Sequence, residues 1–261
     1  MAKLAFSNIG WAREDDETVL SALKALGYSG LEIAPPRFIG ENPYARAKEA
    51  AAQSERIKAE YGLEVCSMQS LWTGRGERIA ESDSNRAALL ELSRMAFDFS
   101  KALGCENLVF GCPKNRAVNS KADEETNEAF LRELAEMAAE RGEVLALEAN
   151  PDIYGTNYLN HTRDAVALAR RLGHGAGVNL DFGTIIQNGE DPHDAAGWLD
   201  VINHVHISEP YLAEILHRPE HRELARVLRE GGYKGYVSVE MKCQSAERVI
   251  AAAQWLREVF A

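Results

Sequence analysis

The chain has 261 residues, with 29 basic and 40 acidic side chains, a formal net charge of −11 at pH 7 and 46% hydrophobic residues. Twenty Gly and eight Pro are an ordinary share, which excludes collagen-like, low-complexity and wholly disordered classes. An acidic balance also argues against nucleic acid, whose phosphates are gripped by clustered Lys and Arg.

Short apolar runs alternate with longer segments of helical period, eight times over. The expected strands are Lys3–Asn8, Gly30–Ala34, Leu63–Ser70, Asn107–Gly111, Val144–Ala149, Gly177–Phe182, Val201–Ile207 and Tyr236–Met241. Between them, ETVLSALKALG, NRAALLELSRMAFDFSKALG, NEAFLRELAEMAAERG and TRDAVALARRLG repeat apolar residues at three and four, as an amphipathic helix does. Gly27, Gly104, Gly142 and Gly173 suit helix C-caps, while Asp83 or Ser84, and Asp123, suit N-caps. Strands alternating with helices imply βαβ crossovers and a parallel sheet. Eight repeats of about 33 residues fit a closed (β/α)8 TIM barrel, an α/β fold in a single domain over residues 1–261. A doubly wound open sheet would usually carry a Gly-rich phosphate turn, and neither G-x-G-x-x-G nor a Walker sequence is present. The segment Trp72 to Ser82 is expected to be a long charged loop, either a lid or a solvated surface loop.

No apolar run approaches the ~18 residues of a membrane helix. The opening MAKLAFSNIGW lacks the features of a signal peptide, so a cytoplasmic location is expected. Cys66, Cys105, Cys112 and Cys243 are too few and too scattered for a disulfide scaffold and read as small buried hydrophobes.

In a barrel the active site is built at the C-terminal ends of the strands. Four consecutive runs close there on ionisable residues: VLALEAN on Glu148, GVNLDFG on Asp181, INHVHISE on His204-x-His206, and VSVEMK on Glu240. One such residue is usually a helix cap or an ion-pair partner. Four of them converging in one barrel would pack like charges closely, which is costly unless a cation neutralises them. Three carboxylates with one imidazole form an oxygen-rich, hard site suited to Mn²⁺ or Mg²⁺, and the imidazole also admits Zn²⁺, Co²⁺ and Fe²⁺.

The endings LEAN, NLDFGT, HVHISEP and SVEMK resemble those of the xylose isomerase-like TIM barrel family, and the resemblance runs the length of the chain. It implies a sugar or sugar-phosphate isomerase or epimerase with one divalent metal ion, Mn²⁺ first, held by Glu148, Asp181, His206 and Glu240. It further implies that Glu148 and Glu240 act as acid and base, and GLEIAPPRF resembles the second strand, with Glu32 at the rim. Ketose 3-epimerases of the family grip substrate hydroxyls with a His, a Glu and an Arg at positions that here are Thr184, Tyr154 and Leu212, so those grips do not carry over. The three-zinc endonucleases of the superfamily need further His ligands that this sequence lacks.

Around the metal, His204, Glu32, Trp72, Tyr154 and Lys242 are candidates for substrate contacts, with Trp11 and Phe6 as further aromatic wall. Lys114 and Arg116 are expected to be solvated loop charges, and His217 and His221 a polar helix entry at the surface. The reading is therefore a metal-dependent isomerase or epimerase of a small sugar or related polyhydroxy carbonyl compound, acting by two-glutamate proton transfer through an enediolate. A lyase dehydrating a keto-sugar or keto-inositol on the same core is the alternative enzyme, and a non-catalytic sugar-binding barrel the alternative class. Neither nucleic acid nor a membrane is an expected partner, and the resemblance leaves a homo-oligomer open.

Overall fold

A parallel strand roofed by helices on one side and facing a barrel interior on the other must be apolar on both faces. That is what the eight runs provide. The computed structural model describes residues 2–261. Its strands are β1 (Lys3–Ser7), β2 (Gly30–Ile33), β3 (Glu64–Met68), β4 (Asn107–Phe110), β5 (Val144–Glu148), β6 (Ala176–Asp181), β7 (Ile202–Ile207) and β8 (Tyr236–Val239). They pair in sequence order, and β8 closes on β1 to complete a TIM barrel. The expected runs overshoot several strands by a residue or two, because the last residues of each run turn out of the ladder into the loops above.

Helices α1 (Asp16–Ala25), α2 (Pro35–Ile39), α3 (Ala47–Tyr61), α4 (Asp83–Leu103), α5 (Lys121–Arg141), α6 (Thr162–Leu172), α7 (Phe182–Asn188), α8 (Pro219–Glu230) and α9 (Ala246–Phe260) alternate with the strands. Their apolar stripes and the strands share one buried cluster, from Leu4 and Phe6 to Val259 and Phe260. None is long and apolar enough to cross a membrane. The four expected C-capping glycines all have positive φ, as at Gly104 (68°) and Gly142 (73°), where a Cβ would be strained.

Both N-cap expectations fall slightly late. Ser82 caps α4 by accepting from Asn85 N at 3.1 Å, and Ser120 caps α5 by accepting from Asp123 N at 3.2 Å. An N-cap must sit in extended backbone just before the first helical residue, as Ser82 does at φ −161°, ψ 160°. Asp123 instead reaches back to Asn119 N at 2.7 Å.

All four cysteines are free thiols; only Cys105 is buried as expected, Cys66 and Cys112 are half-buried, and Cys243 is exposed on the loop that follows the last strand. The loop from Trp72 to Ser82 is fastened down. Asn115 donates to Arg75 O and Glu77 O, its carbonyl accepts from Ile79 N at 2.9 Å, and Ile79 is buried.

Backbone strain is concentrated at one end. The described non-glycine residues with positive φ are Asn42, Ser70, Cys112, Leu159, Tyr211 and Leu212; Asn42 lies between α2 and α3, and the other five lie on connections leading from a strand to the next helix. A left-handed non-glycine residue costs on the order of 1–3 kcal/mol, and such residues cluster where loops are shaped for function.

Candidate metal centre and active site

Strand register assembles the site. Glu148 stands opposite Asn179, Asp181 opposite His206, and Ile207 opposite Val239, which leaves Glu240 next along the chain. One ligand atom from each of Glu148, Asp181, His206 and Glu240 lies within 4.8 Å of the others. Nδ1 of His206 is 3.0 Å from Glu148 Oε1 and 3.2 Å from Glu240 Oε2. Asn179 Nδ2 donates to Glu148 Oε1 at 2.6 Å, and Asn150 Nδ2 donates to Glu148 Oε2 at 2.9 Å.

Asp181 does two jobs. It ends β6 and also caps α7, accepting from Thr184 N and Thr184 Oγ1 at 2.8 Å each, while Ser208 Oγ donates to its other oxygen. A cap and a candidate ligand are thus the same side chain.

The charges are unbalanced. Burial, reinforced by the charge of Glu148, raises the Asp181 carboxyl to about 6. Burial again, with Glu148 and Glu32 adding to it and His206 opposing, pushes Glu240 up to about 7. Burial would also raise Glu148, but His206, Asn150 and Asn179 outweigh it and hold that carboxyl low. Burial would lower His206, yet Glu32, Glu240 and Glu148 together hold its imidazole well above its ordinary value. Four carboxylates share a single strongly basic imidazole, and two are pushed toward protonation. A divalent cation bound by these oxygens and Nδ1 would remove the excess, so the donor set fits a hard or borderline metal.

A cavity of about 200 Å³ opens over the cluster, lined by residues including Gln69, Ser70, Asn150, Tyr154 and Leu212 besides Glu148, Asp181 and Glu240. Three of its lining residues, Ser70, Cys112 and Leu212, are among the left-handed ones. Gly111 completes the wall, since a Cβ there would come within 2.9 Å of Glu148 Oε2.

Of the expected substrate contacts, Tyr154 lines this cavity, and its hydroxyl accepts from Tyr211 N at 2.8 Å. The others lie elsewhere. Glu32 is not at the rim but wholly buried in the barrel, 2.8 Å from His206 Nε2 and 3.1 Å from His204 Nε2. Burial alone would raise its carboxyl, and the two imidazoles hold it far below the usual range. His204 is buried edge-on to His206, ring centroids 5.3 Å apart, because residues two apart on a strand share a face. Trp72 turns away from the cavity to pack on Phe110 and Phe130 and donates to Ser93 Oγ at 3.0 Å. Lys242 is solvent-exposed outside the lining. Trp11 and Phe6 are core, edge to face at 5.7 Å.

Two loop expectations also need correcting. Lys114 is exposed as expected, but Arg116 is completely buried beneath the ends of β4 and β5, among carbonyls that accept from it. His217 is exposed and stacks on Trp255 at 4.1 Å, whereas His221 is buried, accepting from Trp255 Nε1 at 3.1 Å; burial lowers its imidazole to about 4. The i, i+4 spacing brought both to one indole on α9. Asn150, Asn179, Gln69 and Ser70 were not singled out in the sequence. Asn150 and Asn179 had a signal, a polar side chain two residues from a carboxylate on the same strand face.

The family model described as Xylose isomerase-like TIM barrel matches residues 20–259. Among solved structures, the chain is similar to 3-keto-D-glucoside 4-epimerase from E. coli in its apo form (21% identity, 99% of this chain and 100% of that chain, TM-score 0.76). It is also similar to an AP endonuclease, family 2, from Brucella melitensis (20%, 99% and 99%, TM-score 0.73). A third is D-psicose 3-epimerase with D-tagatose from Clostridium cellulolyticum H10 (15%, 99% and 99%, TM-score 0.76). At these identities the likeness is one of fold. No curated protein matches the sequence.

Proposed function

The chain belongs to the xylose isomerase-like TIM barrel family, and from that premise we propose that it is a divalent-metal-dependent isomerase or epimerase of a small, uncharged sugar or related polyhydroxy carbonyl compound. The observation that carries the reading is the meeting of Glu148, Asp181, His206 and Glu240 at the floor of a sugar-sized cavity. Those four residues would hold the metal, with Mn²⁺ the best match to three carboxylate oxygens and one imidazole nitrogen. When bound, the cation supplies Lewis-acid stabilisation of the negative charge that develops on the substrate as a carbon-bound proton leaves.

The chain's own residues do the rest. Glu148 and Glu240 approach from strands three apart around the barrel, so one can take the proton from carbon while the other returns one to the neighbouring carbon or the opposite face. Asn150 and Asn179 fix the Glu148 carboxylate in place. Gln69, Ser70, Asn150 and Tyr154 present neutral donors and acceptors suited to hydroxyl groups. Among the described residues no Lys or Arg lines the cavity, and three carboxylates with one divalent cation leave it formally negative, which disfavours a phosphorylated substrate. The names of two similar structures, both sugar epimerases, support the same class.

The test is to incubate the Mn²⁺-loaded protein with free ketoses and 3-keto-glucosides and follow products by NMR and mass. Isomers of unchanged mass are expected. Loss of water would establish the lyase, and saturable binding without turnover would establish a binding barrel.

A further inference from the structure

Arg116 is an expensive residue to keep where it is. Its side chain is entirely buried, and the hydrogen bonds it makes go to neutral oxygens: Gly111 O at 2.7 Å, Glu148 O at 2.8 Å, Leu159 O at 3.3 Å, Asn150 Oδ1 at 3.1 Å and, more weakly, Phe110 O at 3.5 Å. Its Nε has no partner at all. Burial lowers the guanidinium to about 10, so it stays charged at neutral pH. An apolar side chain of similar length would avoid the desolvation cost of a buried ion but would withdraw the donor from these carbonyls. Satisfying those carbonyls is one role of the arginine, and orienting Asn150 is a second.

What arginine supplies is direction. A guanidinium can only donate, so the side chain of Asn150 must turn its oxygen toward Arg116. Its amide NH₂ then faces the other way, onto Glu148 Oε2 at 2.9 Å. The same guanidinium grips the Glu148 backbone through its carbonyl. Main chain and carboxylate of one residue are thus held by one fork, directly and through one intermediary. With Oε2 held by Asn150, Oε1, which also accepts from Asn179 Nδ2, is the oxygen beside His206 Nδ1.

Resting on the metal reading above, we propose that Arg116 is a positioning residue for Glu148: acting through Asn150, it anchors Oε2 and so fixes Oε1 as the oxygen that faces the metal centre. Lysine cannot replace it, because a single ammonium cannot span Gly111 O, Glu148 O and Asn150 Oδ1 in one plane.

The test is Mn²⁺ affinity, measured by calorimetric titration and electron paramagnetic resonance, alongside the melting temperature of the metal-free protein. Asn150→Ala and Arg116→Lys should each weaken Mn²⁺ binding by roughly 10–100-fold, the usual worth of an outer partner to a metal ligand. Asn150→Asp should do the same, since an aspartate can accept from Arg116 but has no proton to give Glu148. Asn127→Ala is the control: Asn127 donates to the Arg116 carbonyl at 2.7 Å and so supports the turn without touching Glu148. It should lower the melting temperature and leave Mn²⁺ affinity unchanged. If Arg116→Lys fails to fold, the two Asn150 variants decide. Wild-type Mn²⁺ affinity in Asn150→Ala would overturn the proposal, as would equal losses of affinity in Asn150→Ala and Asn127→Ala. A wild-type protein that binds no Mn²⁺ would instead overturn the metal reading, and this proposal with it.

Discussion

The carboxylate of Glu32 lies 2.8 Å from Nε2 of His206, on the opposite edge of the ring from the nitrogen that faces Glu148 and Glu240. A carboxylate behind an imidazole fixes its tautomer and raises its basicity as a ligand. Replacing Glu32 with Gln should weaken Mn²⁺ binding by roughly 10–100-fold. His206→Ala should lose it by orders of magnitude, while His204→Ala keeps the metal and lowers chiefly the melting temperature. Metal content after dialysis, read by elemental analysis, checks all three; strong retention in His206→Ala would remove that residue from the ligand set.

Removing the metal should cost stability. A ligand that binds only the folded state contributes about 2.7 kcal/mol at a hundred times its Kd. Exhaustive chelation should therefore lower the melting temperature and abolish turnover, and Mn²⁺ should restore both. Equal stability and activity before and after chelation would contradict a resident cation.

Proton transfer leaves an isotopic trace. Turnover in D₂O should place deuterium on the reacting carbon of the product. Glu148→Gln and Glu240→Gln should each slow turnover by roughly 10²–10⁴-fold, the usual worth of a positioned acid or base. Metal content must be measured in the same samples, because each glutamate is also a candidate ligand. Full activity with a full metal complement in either variant would end the two-glutamate mechanism.

At the other end of the barrel, Glu143 precedes β5 with one oxygen unpartnered and the other accepting from Ser100 Oγ at 2.9 Å. Burial pushes its carboxyl up to about 7, with Ser100, Lys101 and Arg141 only partly opposing. The folded protein therefore holds this proton more tightly than the unfolded chain does. The resulting stability is fully present below the ordinary carboxylate range and is lost as pH rises through about 7. The difference in unfolding free energy between wild type and Glu143→Gln should move in favour of the variant by up to about 1.4 kcal/mol per pH unit between pH 5 and 7. Urea denaturation at pH 5, 6, 7 and 8 measures it; a difference independent of pH would show that Glu143 is ionised in the fold.

Strands were legible because a doubly buried strand is a short apolar run, and a polar residue closing such a run stands out. Glu148, Asp181, His206 and Glu240 have that signature. Glu32 lacks it: GLEIA reads as a strand ending at the rim, and only the pairing of β2 within a closed barrel carries its carboxylate under histidines 172 and 174 residues away in sequence. Arg116 sits in CPKNR, which has the composition of any solvated turn; its burial depends on carbonyls supplied by β4, β5 and the loop at Leu159. Trp72 packs on Phe110 and Phe130 two residues beyond the left-handed backbone at Ser70, and nothing in QSLW announces that packing. Local patterning reveals what a residue is beside in sequence, and these three are defined by what they meet across the fold.

The uneven placement of left-handed residues has a consequence for engineering. Ser70, Cys112 and Leu212 border the cavity in a conformation that glycine would adopt without strain. Glycine there would relieve that strain and at the same time free the loops that shape the pocket. Thermal robustness and substrate selectivity thus pull in opposite directions at this rim. Helix surfaces and the turns beneath the barrel are where a sturdier variant can be sought without blunting its choice of substrate.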